Sequence, residues 1–137
     1  VPDGELPVPR YRELDDPHPL VLLTPASSRR INSIFGERPD VPVIEINPAD
    51  AADRGIADGD TVRVFNSLAS LEVAARVAAS VRPGVCSISK GSWCRSFAGG
   101  LTQNALSPAT VNDLGRNACF NDARVEVVRA GAPDAPV

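Results

Sequence analysis

The sequence predicts a small, mainly β domain whose strands close into a barrel. Three observations support this fold class: six short apolar or alternating segments, one well-marked short helix, and a long irregular stretch from Gly91 to Asn121. The chain has 137 residues, which is enough for one domain with a core of its own. Aromatic residues make up only 4% and methionine is absent, so Val, Ile, Leu and Ala must fill that core.

The six predicted strands follow from hydrophobic patterning. Alternation places Val62 and Val64 on one face of one strand, and the run that begins at Leu71 alternates in the same way. The all-apolar run 20–23 lies between Pro19 and Pro25, which predicts a short strand buried on both faces. The predicted strands are 20–23, 43–46, 61–65, 71–77, 85–88 and 124–128.

One short helix is predicted over residues 48–54. Asn47 is a favoured N-cap residue, and Pro48 suits the first helical position. Asp50 is expected to accept hydrogen bonds from the free amides of the first turn. Gly55 supplies the left-handed residue that ends a helix. Next, the Asp58-Gly59 pair predicts a tight turn into the third strand.

Both ends of the chain have linker-like composition. Residues 1–19 contain five prolines and no periodicity, which predicts an extended linker or arm. Residues 130–137 predict a flexible tail, so the domain is expected to occupy 20–129. The chain starts with Val rather than Met, which is expected of a processed protein or of a piece cut from a longer one. No convincing internal repeat is visible.

Charge and cysteine content exclude several function classes. The net charge of -3 argues against nucleic acid as a partner, and no apolar run is long enough to span a membrane. The three cysteines Cys86, Cys94 and Cys119 lack CxxC spacing, which argues against an Fe–S cluster or a Cys-rich zinc site. They are consistent with free thiols in a reducing compartment, as in the cytoplasm. His18, the single histidine, is interpreted as a loop residue.

The irregular stretch 91–121 is interpreted as a binding loop. Long loops without secondary structure are uncommon in compact domains and are usually functional or disordered. This one carries few charges and the apolar residues Trp93, Phe97 and Phe120, which disfavours disorder.

The order of these signals resembles the molybdopterin dinucleotide-binding domain, which closes the large subunits of the dimethyl sulfoxide reductase family. The most specific segment is 46–64, which reads I-N-P-A-D-A-A-D-R-G-I-A-D-G-D-T-V-R-V. Further matches follow in the family's order: R-R-I-N-S-I-F at 29–35, R-P-G-V at 82–85, G-S-W at 91–93, N-A-L at 104–106, Asp113 followed by Gly115, and Phe120-Asn121. Asn32 stands where the family frequently has His.

The resemblance implies a double-psi β-barrel of six or seven strands with one or two short helices. It implies that the domain holds the guanylyl-pterin part of a molybdopterin guanine dinucleotide cofactor, with molybdenum or tungsten, inside a larger oxidoreductase. The remaining domains of that enzyme are the implied partners. In this family the protein ligand to the metal comes from another domain, so no catalytic or metal-ligating residue is assigned here.

The candidate site residues are polar or aromatic and lie in the matched loops. Arginines pair well with phosphate, Ser, Asn and Asp pair with pterin, ribose or purine edges, and flat rings supply an apolar wall. Each residue type also has an ordinary structural role, as a solvated charge, a loop cap or a core aromatic. The candidates are Thr24, Ser28, Arg29, Arg30, Asn32, Ser33, Gly91, Trp93, Asn104, Asp113, Phe120 and Asn121.

Two other functions on the same barrel remain open at this stage. One is a protein-binding adaptor of the type found at the N-terminus of AAA ATPases, which has no need of a polar, Trp-bearing insertion such as 91–121. The other is a free-standing enzyme, such as the small decarboxylase that cleaves itself at a Gly-Ser dipeptide.

Overall fold

The computed structural model describes residues 15–27, 32, 34, 41–112 and 115–131. It contains the six predicted strands, one α-helix and two short 3-10 helices. The strands are β1 (Leu20–Leu23), β2 (Val43–Ile46), β3 (Thr61–Phe65), β4 (Ser70–Val77), β5 (Val85–Ile88) and β6 (Arg124–Arg129). The α-helix is α1 (Pro48–Asp53), and the 3-10 helices are Cys94–Ser96 and Gln103–Leu106.

The strands close into a barrel in the order β1-β5-β2-β4-β3-β6. Two neighbouring pairs are parallel, β1 with β5 and β2 with β4, and the other four are antiparallel. Exchanging β1 with β4, β2 with β5 and β3 with β6 reproduces the same order and the same pair types. The barrel therefore has two interlocked three-strand halves related by an approximate twofold axis. This architecture confirms the predicted double-psi barrel and reveals a structural repeat that the sequence did not show.

The pairing directions decide at which end of the barrel each connection lies. Strands β1, β3 and β5 run one way, and β2, β4 and β6 run the other. The connections 24–42, 66–69 and 89–123 therefore leave one end, which we call the loop end. The connections 47–60, which contains α1, and 78–84 leave the opposite end, which we call the helix end.

Alternate residues of every strand fill the barrel interior. The buried set includes Leu20 and Leu22, Ile44 and Ile46, Val62 and Val64, Leu71, Val73 and Ala75, Cys86 and Ile88, and Val125 and Val127. The prediction that β1 is buried on both faces is wrong, because Val21 is half-buried and Leu23 is 39% exposed. A single-layer barrel covers only the inner face of a strand, so a short all-apolar run is not evidence of burial on both sides.

Helix α1 is defined by side-chain and backbone caps at both ends. The Asn47 side chain accepts a hydrogen bond from the Ala49 amide at 2.9 Å, and Pro48 occupies the first position. At the other end, the Gly55 and Ile56 amides donate to the carbonyls of Ala52 and Ala51. This pair of hydrogen bonds forms a Schellman motif, in which Gly55 is left-handed with φ +62°.

Asp50 does not cap its own helix as predicted. Its Oδ2 accepts from the Gly84 amide at 2.8 Å, so it joins α1 to the connection 78–84. The side-chain nitrogen Nδ2 of Asn47 donates to the Val81 carbonyl of the same connection at 2.8 Å. Arg54, whose Nε lies 2.7 Å from Glu126 Oε1, attaches the helix to β6. The polar residues of α1 thus bind the helix to the barrel.

The segment after α1 is held by carboxylates in the same way. Asp58 accepts from the Val77 amide at 2.8 Å, and Asp60 accepts from the Ala57 amide at 2.9 Å. Gly59 has φ +85°, as the predicted tight turn requires. In the predicted arm, the His18 ring meets Phe65, the last residue of β3, edge-on at 6.0 Å between centroids. The domain boundaries remain a prediction.

Gly55 provides a test of the helix stop. An added Cβ would meet nothing within 4 Å, so any cost of substitution arises from the left-handed backbone alone. Gly55→Val should lower the free energy of unfolding by about 1–2 kcal/mol, whereas Gly55→Asn should lose much less because Asn tolerates this conformation. Urea denaturation of both variants measures the difference. Equal midpoints for Gly55→Val and the parent chain would contradict the left-handed cap.

Burial of Cys86 predicts a sharp difference in thiol reactivity. Desolvation raises the pKa of the Cys86 thiol from 9.0 to about 12, and its Sγ lies 3.6 Å from the Val21 carbonyl oxygen. Because this pKa is higher in the folded chain, the thiol's stabilising contribution is complete below pH 9 and is lost as the pH rises towards 12. Iodoacetamide at pH 8, followed by peptide mapping, should label the exposed Cys94 and leave Cys86 unlabelled until the chain unfolds. Equal labelling rates in the native chain would contradict this packing.

Candidate functional site at the loop end

The connection 89–123 is the largest part of the loop end, and apolar side chains anchor it to the barrel. Phe97 directly follows the first 3-10 helix, Leu106 ends the second, and both side chains are buried in the core. The Lys90 amide donates to the Pro25 carbonyl at 2.9 Å, which joins this connection to the start of connection 24–42. Ala98 also forms an isolated antiparallel bridge with Glu72 of β4. The stretch is therefore folded onto the barrel although it has little regular secondary structure.

At the loop end, the Asn66 side chain links three segments of the chain, a role that sequence analysis missed. Its amide nitrogen donates to the Leu106 carbonyl at 2.8 Å and to the Arg124 carbonyl at 3.0 Å. Its side-chain oxygen accepts from the amides of Leu68 and Ala69. One side chain thus links the 66–69 turn, the second 3-10 helix and the start of β6. No local sequence signal identifies this role, because both carbonyl partners are distant in sequence.

The predicted site residues that the structure describes all belong to connections at the loop end. Thr24 is half-buried, and Asn32 is exposed with a left-handed φ of 53°. Gly91 has φ +101°, which suits glycine alone, and it stands directly before the Ser92-Trp93 pair. The remaining members are exposed: Trp93, Asn104, Phe120 and Asn121.

The other predicted residues, Ser28, Arg29, Arg30, Ser33 and Asp113, lie outside the described residues. Within the described ranges, no hydrogen bond joins one predicted side chain directly to another. The topology brings the predicted loops to one end of the barrel, and the Lys90–Pro25 bond joins two of them. The individual residue assignments stay predictions.

Exposed apolar side chains are concentrated at this same end. Eight large hydrophobic residues are exposed in the described part of the chain, and each lies at the end of β1 or in a loop-end connection: Leu23, Ile34, Val41, Leu68, Trp93, Leu101, Val111 and Phe120. Among the described residues of the helix end there is no such side chain. Where such side chains form a contiguous patch, the surface is typical of one that binds a ligand or another protein.

The connections at the two ends of the barrel also differ in net charge. The described residues of the loop-end connections include three basic side chains, Lys90, Arg95 and Arg116, and one acidic side chain, Asp122, a net charge of +2, although the whole chain has -3. The helix-end connections carry two basic and four acidic side chains, a net charge of -2. The loop end therefore combines a positive balance with exposed apolar groups, which suits an anion attached to flat rings.

Gln103 carries an unsatisfied acceptor at the loop end. The residue is 1% exposed, and its Oε1 is the one buried side-chain polar atom in the described ranges that has no hydrogen-bond partner. A buried acceptor without a donor costs on the order of 1–3 kcal/mol. Gln103 stands directly before the predicted residue Asn104, and no sequence pattern singled it out.

The described residues contain no group of three or more His, Cys, Asp or Glu side chains placed to hold a metal ion. Within the same ranges, no helix has the length and apolar character needed to cross a bilayer.

Comparison with known proteins identifies the family. The family described as "Molydopterin dinucleotide binding domain" matches residues 20–124. A putative catalytic chain of a dimethyl sulfoxide reductase from Halobacterium salinarum is 37% identical over 121 residues, which is 84% of this chain and 14% of that protein. The probable oxidoreductase YoaE of Bacillus subtilis is 33% identical over 133 residues, which is 91% of this chain and 19% of that protein.

A solved structure supports the fold independently. Acetylene hydratase from Pelobacter acetylenicus superposes with a TM-score of 0.70 at 15% identity, covering 82% of this chain and 18% of that one. At this identity the likeness concerns the fold alone. The chain spans less than a fifth of the length of each of these three proteins.

The family match favours the first interpretation over both alternatives. The chain does contain one Gly-Ser pair, Gly91-Ser92, so this dipeptide does not argue against the self-processing decarboxylase. The family match, which covers nearly all of the barrel, distinguishes the first interpretation from the two alternatives. Because that match covers residues 20–124 of the 137, this chain belongs to the molybdopterin dinucleotide-binding domain family.

Proposed function

We propose that the loop end binds the guanylyl-pterin arm of a molybdopterin guanine dinucleotide cofactor within a larger oxidoreductase of the dimethyl sulfoxide reductase family. The observation that carries this proposal is the difference between the two ends of the barrel. The exposed apolar side chains, the positive charge balance and the predicted site residues that the structure describes all belong to one end. At the opposite end, Asn47, Asp50 and Arg54 are engaged in holding α1.

The residues at the loop end fit the chemistry of such a group. Trp93 and Phe120 are exposed, at 46% and 54%, and each offers a flat apolar surface to a pterin or purine ring. Arg29 and Arg30 in connection 24–42 supply forked donors for a pyrophosphate. When bound, the cofactor supplies the redox chemistry of its metal, and this chain binds and orients its organic part.

Amide and carboxyl groups complete the fit by matching ring edges. Asn104, Asn121 and Asp113 can pair with the donors and acceptors of a 2-amino-4-oxo ring, because a carboxylate accepts from the amine and the ring N–H together. The Oε1 atom of Gln103, which has no hydrogen-bond partner among the described residues, is a further acceptor next to Asn104.

We further propose that the domain binds without catalysing a reaction alone. The chain is 14% and 19% of the length of the two relatives, whose names indicate reductase or oxidoreductase activity. The other domains of such a parent enzyme are the proposed protein partners, and they cover the apolar surface at the loop end that the cofactor leaves exposed. A dye-linked reductase assay of this chain with added molybdate and formate, nitrate or a sulfoxide should show no turnover.

Titration with GDP tests the site while backbone amide shifts are followed. Because the barrel contacts only one arm of a long ligand, binding should be weak, near the mM range that corresponds to about -4 kcal/mol. The shifts should lie in 24–42 and 89–123. Asp113→Ala should abolish them if Asp113 recognises the guanine ring, whereas Asp53→Ala on the exposed side of α1 should leave them unchanged.

Two results would contradict the proposal. Shifts confined to residues 47–60 would place the ligand at the helix end. No shift at any residue, with GDP well above the mM range, would show that the chain does not recognise this part of the cofactor.

A further inference from the structure

The exposed Trp93 lies at the start of a hydrogen-bonded turn that is anchored in the core. Trp93 immediately precedes the 3-10 helix Cys94–Ser96, and its carbonyl accepts from the Ser96 amide at 2.8 Å. Phe97, which follows that helix, is only 5% exposed and anchors the turn in the core. The short turn between an anchored residue and Trp93 presents this aromatic side chain to solvent at little cost in conformational freedom.

Arg95 lies against this ring, and none of the acidic side chains that the structure describes pairs with it. Its guanidinium carbon Cζ is 4.9 Å from the centroid of the Trp93 ring, within the range of a cation–π contact. By contrast, Arg54, Arg76 and Arg129 each pair with an acidic side chain at 2.7, 3.2 and 3.2 Å. Among the described residues no acidic side chain forms an ion pair with Arg95. Its charge is therefore available to an anion from outside the chain.

The surroundings of the pair indicate the class of that anion. Trp93 and Arg95 lie in the connection 89–123, at the end of the barrel with a positive balance and exposed apolar side chains. A guanidinium binds phosphate oxygens through paired donors, and an aromatic ring stacks on heterocycles. Side by side, the two groups match a phosphate attached close to a flat ring, as in a nucleoside diphosphate.

We propose that Trp93 and Arg95 form one composite subsite for the nucleotide part of the ligand. In this subsite the Trp93 ring stacks on a heterocycle, and the Arg95 guanidinium pairs with oxygens of the neighbouring pyrophosphate. The proposal rests on the proposed function and adds a residue, Arg95, that the matched motif G-S-W at 91–93 does not include. Arg95 is a positioning and specificity residue here, since it selects a phosphorylated ligand over the bare nucleoside.

The fluorescence of Trp93 reports directly on this subsite because it is the only tryptophan in the chain. GDP, guanosine and inorganic pyrophosphate are titrated separately into the 137-residue chain and into Arg95→Ala. GDP should quench the parent chain, and Arg95→Ala should weaken GDP and pyrophosphate binding about tenfold or more, the loss expected for a charge-assisted hydrogen bond. Guanosine binding should be unchanged. Arg95→Lys should recover part of the loss, since it keeps the charge without the fork.

Arg82→Ala is the matched control, because Arg82 is an exposed arginine in the connection 78–84 at the helix end. It should bind GDP as the parent chain does, and thermal unfolding should give the same midpoint for both alanine variants. If Arg95→Ala binds GDP as tightly as the parent, while GDP still shifts amides in 89–123, the subsite is wrong and the proposed function stands. If the parent chain shows neither quenching nor shifts with GDP, the proposed function fails and the subsite fails with it.

Discussion

Two parallel strand pairs, β1 with β5 and β2 with β4, impose the arrangement on which the rest of this domain depends. A parallel pair cannot be joined by a hairpin, and here each parallel pair brings together one strand from each half of the barrel. Barrel closure then fixes the direction of every strand. As a result, both long connections, 24–42 and 89–123, begin and end at the same end of the barrel. Strand pairing alone thus brings two segments far apart in sequence to the same end of the barrel.

The two ends of the barrel have different physical roles. At the helix end, Asn47, Asp50 and Arg54 are all bonded to distant parts of the barrel. These contacts give structural roles to the polar residues in the most recognisable stretch of the sequence, 46–64. At the loop end, exposed apolar groups and the Arg95 guanidinium, which has no acidic partner in the described ranges, lie on segments anchored by Phe97 and Leu106. Rigid anchoring beneath exposed polar and aromatic side chains is what a preorganised binding surface requires.

The strands and the helix could be predicted because their signals are local. Alternation identified the inward residues of β3 and β4, and the Asn47 and Gly55 caps both form as expected. Two predictions were wrong because the local sequence signal is compatible with two different structures. The apolar run of β1 is buried on one face only, and the Asp50 carboxylate bonds to Gly84 and not to its own helix.

The site was predictable as a set of loops but not as a set of contacts. The resemblance placed candidate residues in connections that the barrel brings to one end. It could not identify Asn66 or Gln103, because their roles depend on burial and on partners distant in sequence. The pairing of Arg95 with Trp93 depends on a 3-10 turn that no periodicity marks. The approximate twofold symmetry was also invisible, because the repeat survives in strand order and not in residue identity.

Hydrogen exchange measured with and without molybdopterin guanine dinucleotide tests most directly whether the loop end is the cofactor face. Amides in 24–42 and 89–123 should exchange more slowly when the dinucleotide is bound, since ligand contact and ordering both suppress local opening. Amides in 47–60 should exchange at the same rate in both states, because α1 is already held by the barrel. Protection of 47–60 with no change at the loop end would contradict the account.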